Sequence, residues 1–220
     1  MVWARRGLVL GLLVCLCLTE TLAQGTGGAK SRPKKERPKK KKDPTTTSEI
    51  AAAQNVDIDQ MAGTWYLSSV ASKCSYLMTH GSSVEAVVLT LTPPSKPKQP
   101  LSVSTMTRHN HQCWEVLQAY TLTPTPGHFV LNGGRPLLDT AVVVVDTDHS
   151  SYAVFHLQKK EQVTLKFYSR TKKVSEAILD KFQDVAKKHG FDYDLMTPYP
   201  SYSHCESVEK VHVINCVPFC

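Results

Sequence analysis

Apolar and polar residues alternate along most of the chain between positions 64 and 170. The alternation runs through TWYLSSVA, VEAVVLTL, LSVSTMT, CWEVLQAYTL, HFVLN, LDTAVVVVDTD, SYAVFHL and QVTLKFYSR. A period near two sends successive side chains to opposite faces of a strand. Between these runs lie THGSS, PPSKPKQP, RHNH, TPTPG, GGRP, DHS and KKE, rich in residues that turn a chain. The pattern predicts eight short strands with brief connections, an all-β fold arranged as an up-and-down antiparallel barrel or a sandwich. The period then changes. In VSEAILDKFQDVAKKHG, Ile178, Leu179, Phe182, Val185 and Ala186 share one helical face, with Ser175 placed to cap and Gly190 to terminate.

Eight strands can close around side chains or one small ligand. The last strand offers a choice of inward face, because Val163, Leu165 and Phe167 alternate with Thr164, Lys166 and Tyr168. A lysine inside a closed apolar interior is costly, so Val163, Leu165 and Phe167 are expected to line the interior.

The N-terminal stretch MVWARRGLVLGLLVCLCLTETLAQ changes the picture of where the chain works. Arg5 and Arg6 precede an apolar run from Leu8 to Leu18, and small Ala23 follows. That order reads as a secretory signal peptide, residues 1–23, and the run is too short to span a bilayer. The expected product is secreted, in a compartment that permits disulfides. Residues 24–48 form a basic tail. Its core, Lys30 to Asp43, carries nine Lys or Arg against two acidic residues, a net of +7, which equals the formal charge of the whole chain. Without apolar content it is expected to stay disordered, serving either as a solvated arm or as an attractor for an anionic surface. Nucleic acid is an unsuitable partner for an exported protein. Residues 49–220 make a single domain.

Removal of the leader takes Cys15 and Cys17 and leaves Cys74, Cys113, Cys205, Cys216 and Cys220. An odd count in a secreted chain means that at least one sulfur is free or paired outside it. Parity does not say which, and five cysteines allow many pairings. Nine histidines raise the question of a metal, with His109 and His111 near Cys113 in RHNHQC. A polar turn beside a disulfide accounts for that cluster, and no metal or cofactor is expected. No Ser/His/Asp constellation and no glycine-rich phosphate loop is legible, so the chain is read as non-catalytic.

Three stretches then combine into a resemblance. NVDIDQMAGTWY leads into the first strand, DTDHSSY joins two late strands, and Arg170 ends the eighth. Together with the helix that follows, these resemble the lipocalin signature over essentially the whole domain. The resemblance implies an eight-stranded up-and-down barrel, or calyx, with one C-terminal helix. It implies that Gly63 turns the chain into the barrel base, that Trp65 plugs that end, and that Arg170 lies across the indole. Thr147 and Asp148 match the family's loop motif, whereas His149 replaces its usual aromatic, which is expected to weaken the loop contact.

Within the family, DQMAGTWYLSSVASKCSYLMTHGSSVEAVVLTL, HQCWEVLQAY, DTDHSSYAVFHL, VTLKFYSR and YPSYSHCESVEKVHV are similar to the branch that serves as a subunit in complement. That similarity implies an internal bridge between Cys113 and Cys205. It further implies that Cys74, just past the first strand at the open rim, is joined to the alpha chain of a complement component, and through it to the beta chain. Parity is then met if Cys216 and Cys220 pair with each other across CVPFC. Two other readings stand beside this one. The barrel could carry a small apolar ligand, or Cys74 could act as the thiol of a lipocalin isomerase, against which its loop position argues.

Overall fold

The computed structural model describes residues 50–214. All eight strands of the alternating pattern form: β1 (Gly63–Ser72), β2 (Val87–Thr92), β3 (Leu101–His109), β4 (Gln112–Leu122), β5 (His128–Leu131), β6 (Thr140–Thr147), β7 (Tyr152–Lys159) and β8 (Gln162–Ser169). Each pairs antiparallel with the next, and β8 returns to β1, so the sheet closes into a barrel. Closure removes the sheet edges that an open fold would have to protect. The β3–β4 ladder is the longest, running from Leu101↔Tyr120 to His109↔Gln112.

Two helices flank the barrel. The short α1 (Ser75–His80) occupies the β1–β2 connection, where Leu77 packs into the core. The longer α2 (Glu176–Lys188) follows β8 and carries an acidic first turn and Lys187 and Lys188 in its last, which suits the helix dipole. Ser175 is its N-cap residue, but the hydroxyl makes no capping bond; the amides of Ile178 and Leu179 reach the Ser175 carbonyl instead. Its end is a Schellman motif. Gly190 takes φ +78°, its N–H bonds the Lys187 carbonyl, and the Phe191 N–H bonds that of Ala186.

The apolar residues divide into two clusters on opposite sides of the barrel wall. Inside lie Trp65, Leu67, Val70, Leu89, Leu91, Leu101, Val103, Tyr120, Phe129, Leu131, Val142, Val144, Phe155 and Tyr168, among others. Outside, Ala71, Tyr152, Val154, Leu165 and Phe167 pack beneath Phe182, Ala186 and Phe191 of the α2 region. This corrects the expected facing of β8. Phe167 stacks on Phe182 with ring centroids 4.9 Å apart, and Val163 and Leu165 join the same outer cluster. The interior therefore receives Thr164, Lys166 and Tyr168. Lys166 sits in register between Val70 of β1 and Phe155 of β7, both interior residues. The physical reason is α2. It covers the outer face of β8 with apolar side chains, so that face is as dry as a core.

After α2 the chain returns across the barrel. β9 (Met196–Pro198) pairs with Ser69–Ala71 of β1, and β10 (Lys210–Val213) runs parallel to β4 from Trp114 to Leu117. β1 thus changes partner along its length, from β2 over Gly63–Tyr66 to β9 over Ser69–Ala71. At this seam the wall is completed by β9 and by the Gly81–Ser83 turn, whose Gly81 lies close against Thr197.

Candidate functional site

The closed end of the barrel is built by backbone demands near Gly63. The turn Asp57–Ala62 feeds β1, and Gly63 adopts φ +93°, a conformation that a side chain would strain. Trp65 follows, fully buried, with its indole N–H donating to the Met61 carbonyl at 2.8 Å. Above the indole lies Arg170, its Cζ 3.7 Å from the ring centroid. The guanidinium also donates to the carbonyls of Gln60, Ala62, Thr64 and His149, at 2.9 to 3.3 Å. One side chain thus ties the entry turn, the start of β1 and the β6–β7 loop together.

Thr147 and Asp148 hold that loop. The Thr147 hydroxyl donates to the Tyr152 carbonyl and accepts from the His149 N–H. Asp148 Oδ1 accepts from the amides of Ser150, Ser151 and Tyr152, and the Ser151 hydroxyl bonds its other oxygen. Burial pushes this carboxyl up, but the hydrogen bonds outweigh it and hold the group below the usual carboxylate range. His149 makes a contact of its own: Nε2 accepts the Asp57 N–H at 3.1 Å and its carbonyl accepts from Arg170. Their hydrogen bonds hold the closed end of the barrel together.

Burial grades along the interior. Near the floor Trp65, Leu91, Leu101, Val103, Leu131, Val142 and Val144 are almost fully buried. Toward the rim Thr105 and Thr107 of β3, Val116 and Gln118 of β4, and Lys166 are only half-buried. Burial of the inward side chains thus falls from the floor toward the rim. Tyr120 and Tyr168 stand between the two, their phenol pKa values raised by burial. Burial pushes the Lys166 amine down to about 8. Ser72 and Thr164, paired across β1 and β8, share a hydrogen bond of 3.1 Å on the same inner face. A separate open concavity of about 680 Å³ lies outside the barrel, between Pro94–Pro100 and Ala119, Thr121, Leu122 and Asn132.

Cys74 sits at the rim, where β1 ends and α1 begins. It is the α1 N-cap residue, buried, with its N–H bonded to the Ser72 hydroxyl at 3.2 Å. Its sulfur is in a disulfide, so it offers no thiol for an isomerase mechanism. Cys113 and Cys205 are bonded to each other, with Cα atoms 5.6 Å apart, so the partner of Cys74 is not among the described cysteines. The bridge fastens the segment after α2 to the rim end of β4, where Glu209 Oε1 also accepts the Cys113 N–H. The pairing of Cys216 with Cys220 lies outside the described residues, as do the leader and the basic tail.

His109 packs edge-on against Trp114, which also stacks on His212 with ring centroids 4.4 Å apart, while His111 lies in the β3–β4 turn at φ +64°. Among the described residues no group of His, Cys, Asp and Glu has metal-binding geometry. Sequence reasoning missed two features: Lys166, which it placed on the outer wall, and the His156–His189 pair. His156 of β7 is buried beneath the end of α2, with its ring 5.3 Å from that of His189.

Residues 62–200 match the profile of the Lipocalin / cytosolic fatty-acid binding protein family. Among known proteins, the chain is 33% identical over 172 residues to the complement component C8 gamma chain of Oryctolagus cuniculus, covering 78% of this chain and 84% of that one. It is 26% identical over 165 residues to the extracellular fatty acid-binding protein of Gallus gallus, covering 73% and 89%. Protein AMBP of Bos taurus is 27% identical over 174 residues, and there the chain spans about half of the relative's length, 49%. A solved structure of the siderocalin Ex-FABP superimposes with a TM-score of 0.57 at 21% identity, covering 66% of this chain and 96% of that one, a likeness of fold. A barrel closed by Trp65 beneath Arg170 and matched by that profile over residues 62–200 makes this chain a member of the lipocalin family.

Proposed function

We propose that the chain is a non-catalytic, secreted subunit of complement component eight, disulfide-linked to its alpha chain and, through it, associated with the beta chain. In that role it takes part in assembling the membrane attack complex. The observation that carries this reading is the similarity to the C8 gamma chain over 172 residues. The cysteines support it. Once residues 1–23 are removed, Cys74, Cys216 and Cys220 are the cysteines outside the Cys113–Cys205 bridge. An odd number of sulfurs leaves at least one of them free or bonded to another chain. On the similarity to the C8 gamma chain we assign the bond to the alpha chain to Cys74, at the rim beside the calyx mouth, which would embrace a segment of that chain.

The basic tail, residues 24–48, belongs to the same proposal as an arm ahead of the 49–220 domain, suited to an anionic surface. No helix of the described residues is long and apolar enough to cross a membrane. Non-reducing electrophoresis of the native secreted complex, probed for this chain, tests the reading. A band enlarged by a covalent partner supports it, with that partner recovered on the Cys74 peptide. A chain that runs alone, or a partner linked through Cys216 or Cys220, counts against the assignment.

A second reading rests on the graded interior: carriage of a small apolar ligand in the upper calyx. The similarity to an extracellular fatty acid-binding protein favours it. Extraction of the purified native protein with organic solvent, followed by mass spectrometry, checks for such a ligand.

A further inference from the structure

Lys166 is an anomaly that neither reading uses. It projects from β8 into the barrel, between Val70 and Phe155 and two residues from Tyr168. Its amine has no hydrogen-bond or ion-pair partner among the described residues. An ammonium held between apolar side chains without a partner is unfavourable, and this partial burial favours the neutral amine. Yet the side chain keeps accessible surface. It shares that partial exposure with Thr105, Thr107, Val116 and Gln118, the inward residues toward the rim of the calyx.

We infer that Lys166 is a covalent capture site, at which its Nζ condenses with the carbonyl carbon of an apolar aldehyde that enters from the rim. The step needs no oxidant, reductant or metal. The nitrogen lone pair forms a C–N bond, the carbonyl π pair moves to oxygen, and a proton passes from nitrogen to that oxygen to give a carbinolamine. Loss of the hydroxyl as water, with the second nitrogen proton, leaves the C=N bond of an imine. The Ser72–Thr164 hydroxyl pair sits one same-face position toward the rim and is placed to relay those protons, while water departs through the mouth.

Chemistry and surroundings select the ligand class. With a pKa of about 8, roughly a fifth of the amines are unprotonated near pH 7.4, against about one in a thousand for an ordinary lysine. Only the unprotonated amine attacks a carbonyl. A carboxylate ligand would bring a second charge into an apolar wall and bear its own desolvation cost. An aldehyde brings none. Its chain would lie against Val70, Phe155 and Tyr168, which sets an alkyl or polyene aldehyde apart from a small polar one. The inference stands on the calyx alone and does not depend on the complement reading.

The test uses the full secreted chain, dodecanal at one equivalent, and cyanoborohydride to trap the imine, with peptide mass mapping of the modified lysines. Lys166 is expected to carry the alkyl group about tenfold or more ahead of the exposed Lys160, Lys172 and Lys173 at neutral pH. Glyceraldehyde should show no such preference. Lys166→Met should lose the early adduct and keep its fold, since the change removes an unpaired buried charge. Lys166→Arg, which retains the charge without the nucleophile, serves if the methionine variant does not fold. Labelling that merely follows exposure would overturn the inference. So would equal labelling of wild type and variant, or dodecanal bound without any trapped adduct.

Discussion

The guanidinium of Arg170 lies over Trp65 with its central carbon 3.7 Å from the ring centroid, while its N–H groups hold four carbonyls around the barrel floor. The pair is a plug and its latch. Trp65→Ala should destabilise the domain by about 3–5 kcal/mol, as truncations of large buried aromatics do. Arg170→Ala should cost about 1–3 kcal/mol, from the lost cation–π contact and carbonyls left without donors. Urea unfolding of both variants measures the difference, and a Trp65→Ala protein as stable as wild type would refute the plug.

The bridge from Cys113 to Cys205 spans 92 residues of sequence. Chain-entropy arguments assign a loop of that size roughly 4–5 kcal/mol of stabilisation. Replacing both cysteines by serine should lower the melting temperature sharply and free the β10 end of the chain first. Limited proteolysis should therefore cut between Pro198 and Lys210 in the double variant before any cut appears in the barrel strands.

The unpaired amine of Lys166 makes a prediction whose sign reverses ordinary expectation. Its pKa in the folded chain, about 8, lies below the 10.5 of a free lysine side chain. Below pH 8 both states are protonated and the full cost of burial is present; above pH 10.5 both are neutral and it is gone. Lys166→Met should consequently be more stable than wild type near pH 7, by about 1–3 kcal/mol. Thermal melts repeated toward pH 10.5 should show the advantage vanish.

Acid should act through His156. Burial, reinforced by the neighbouring His189, pushes its pKa down to about 4 from 6.5. The unfolded chain binds the proton first, so stability is complete above pH 6.5 and falls as the pH drops toward 4. After allowance for screening by solvent the loss is about 1–2 kcal/mol. His156→Phe should flatten the stability profile across that window, and an unchanged slope would assign the acid sensitivity elsewhere.

Local pattern carried the strands where a buried inward residue alternates with a wetter neighbour, as Leu101 and Val103 do with Ser102 and Ser104 of β3. Trp65, Gly63 and Arg170 were legible because they form a short constellation with a fixed spatial logic. β8 was not. Both of its faces are covered, one by the calyx and one by Phe182 and Ala186 of α2, so alternation could not separate inside from outside. The cost argument for Lys166 assumed that its alternative was solvent, whereas the other face of β8 is a helix interface. β9, β10 and α1 escaped because they are three, four and six residues long. Strands that short are specified by the partner they find, β1 or β4, and not by their own periodicity.

The partner change along β1 has a bearing on how the barrel breathes. On the edge away from β8, the strand is laddered to β2 from Gly63 to Tyr66 but farther up only to β9, by three register pairs next to the short helix α1. Local opening follows the least costly set of contacts, and this seam has fewer than the β6–β7–β8 wall. In amide hydrogen exchange, α1, β9 and the upper amides of β2 should lose protection together, ahead of β7 and β8. The barrel would then open sideways at one stave, with the floor under Arg170 still shut.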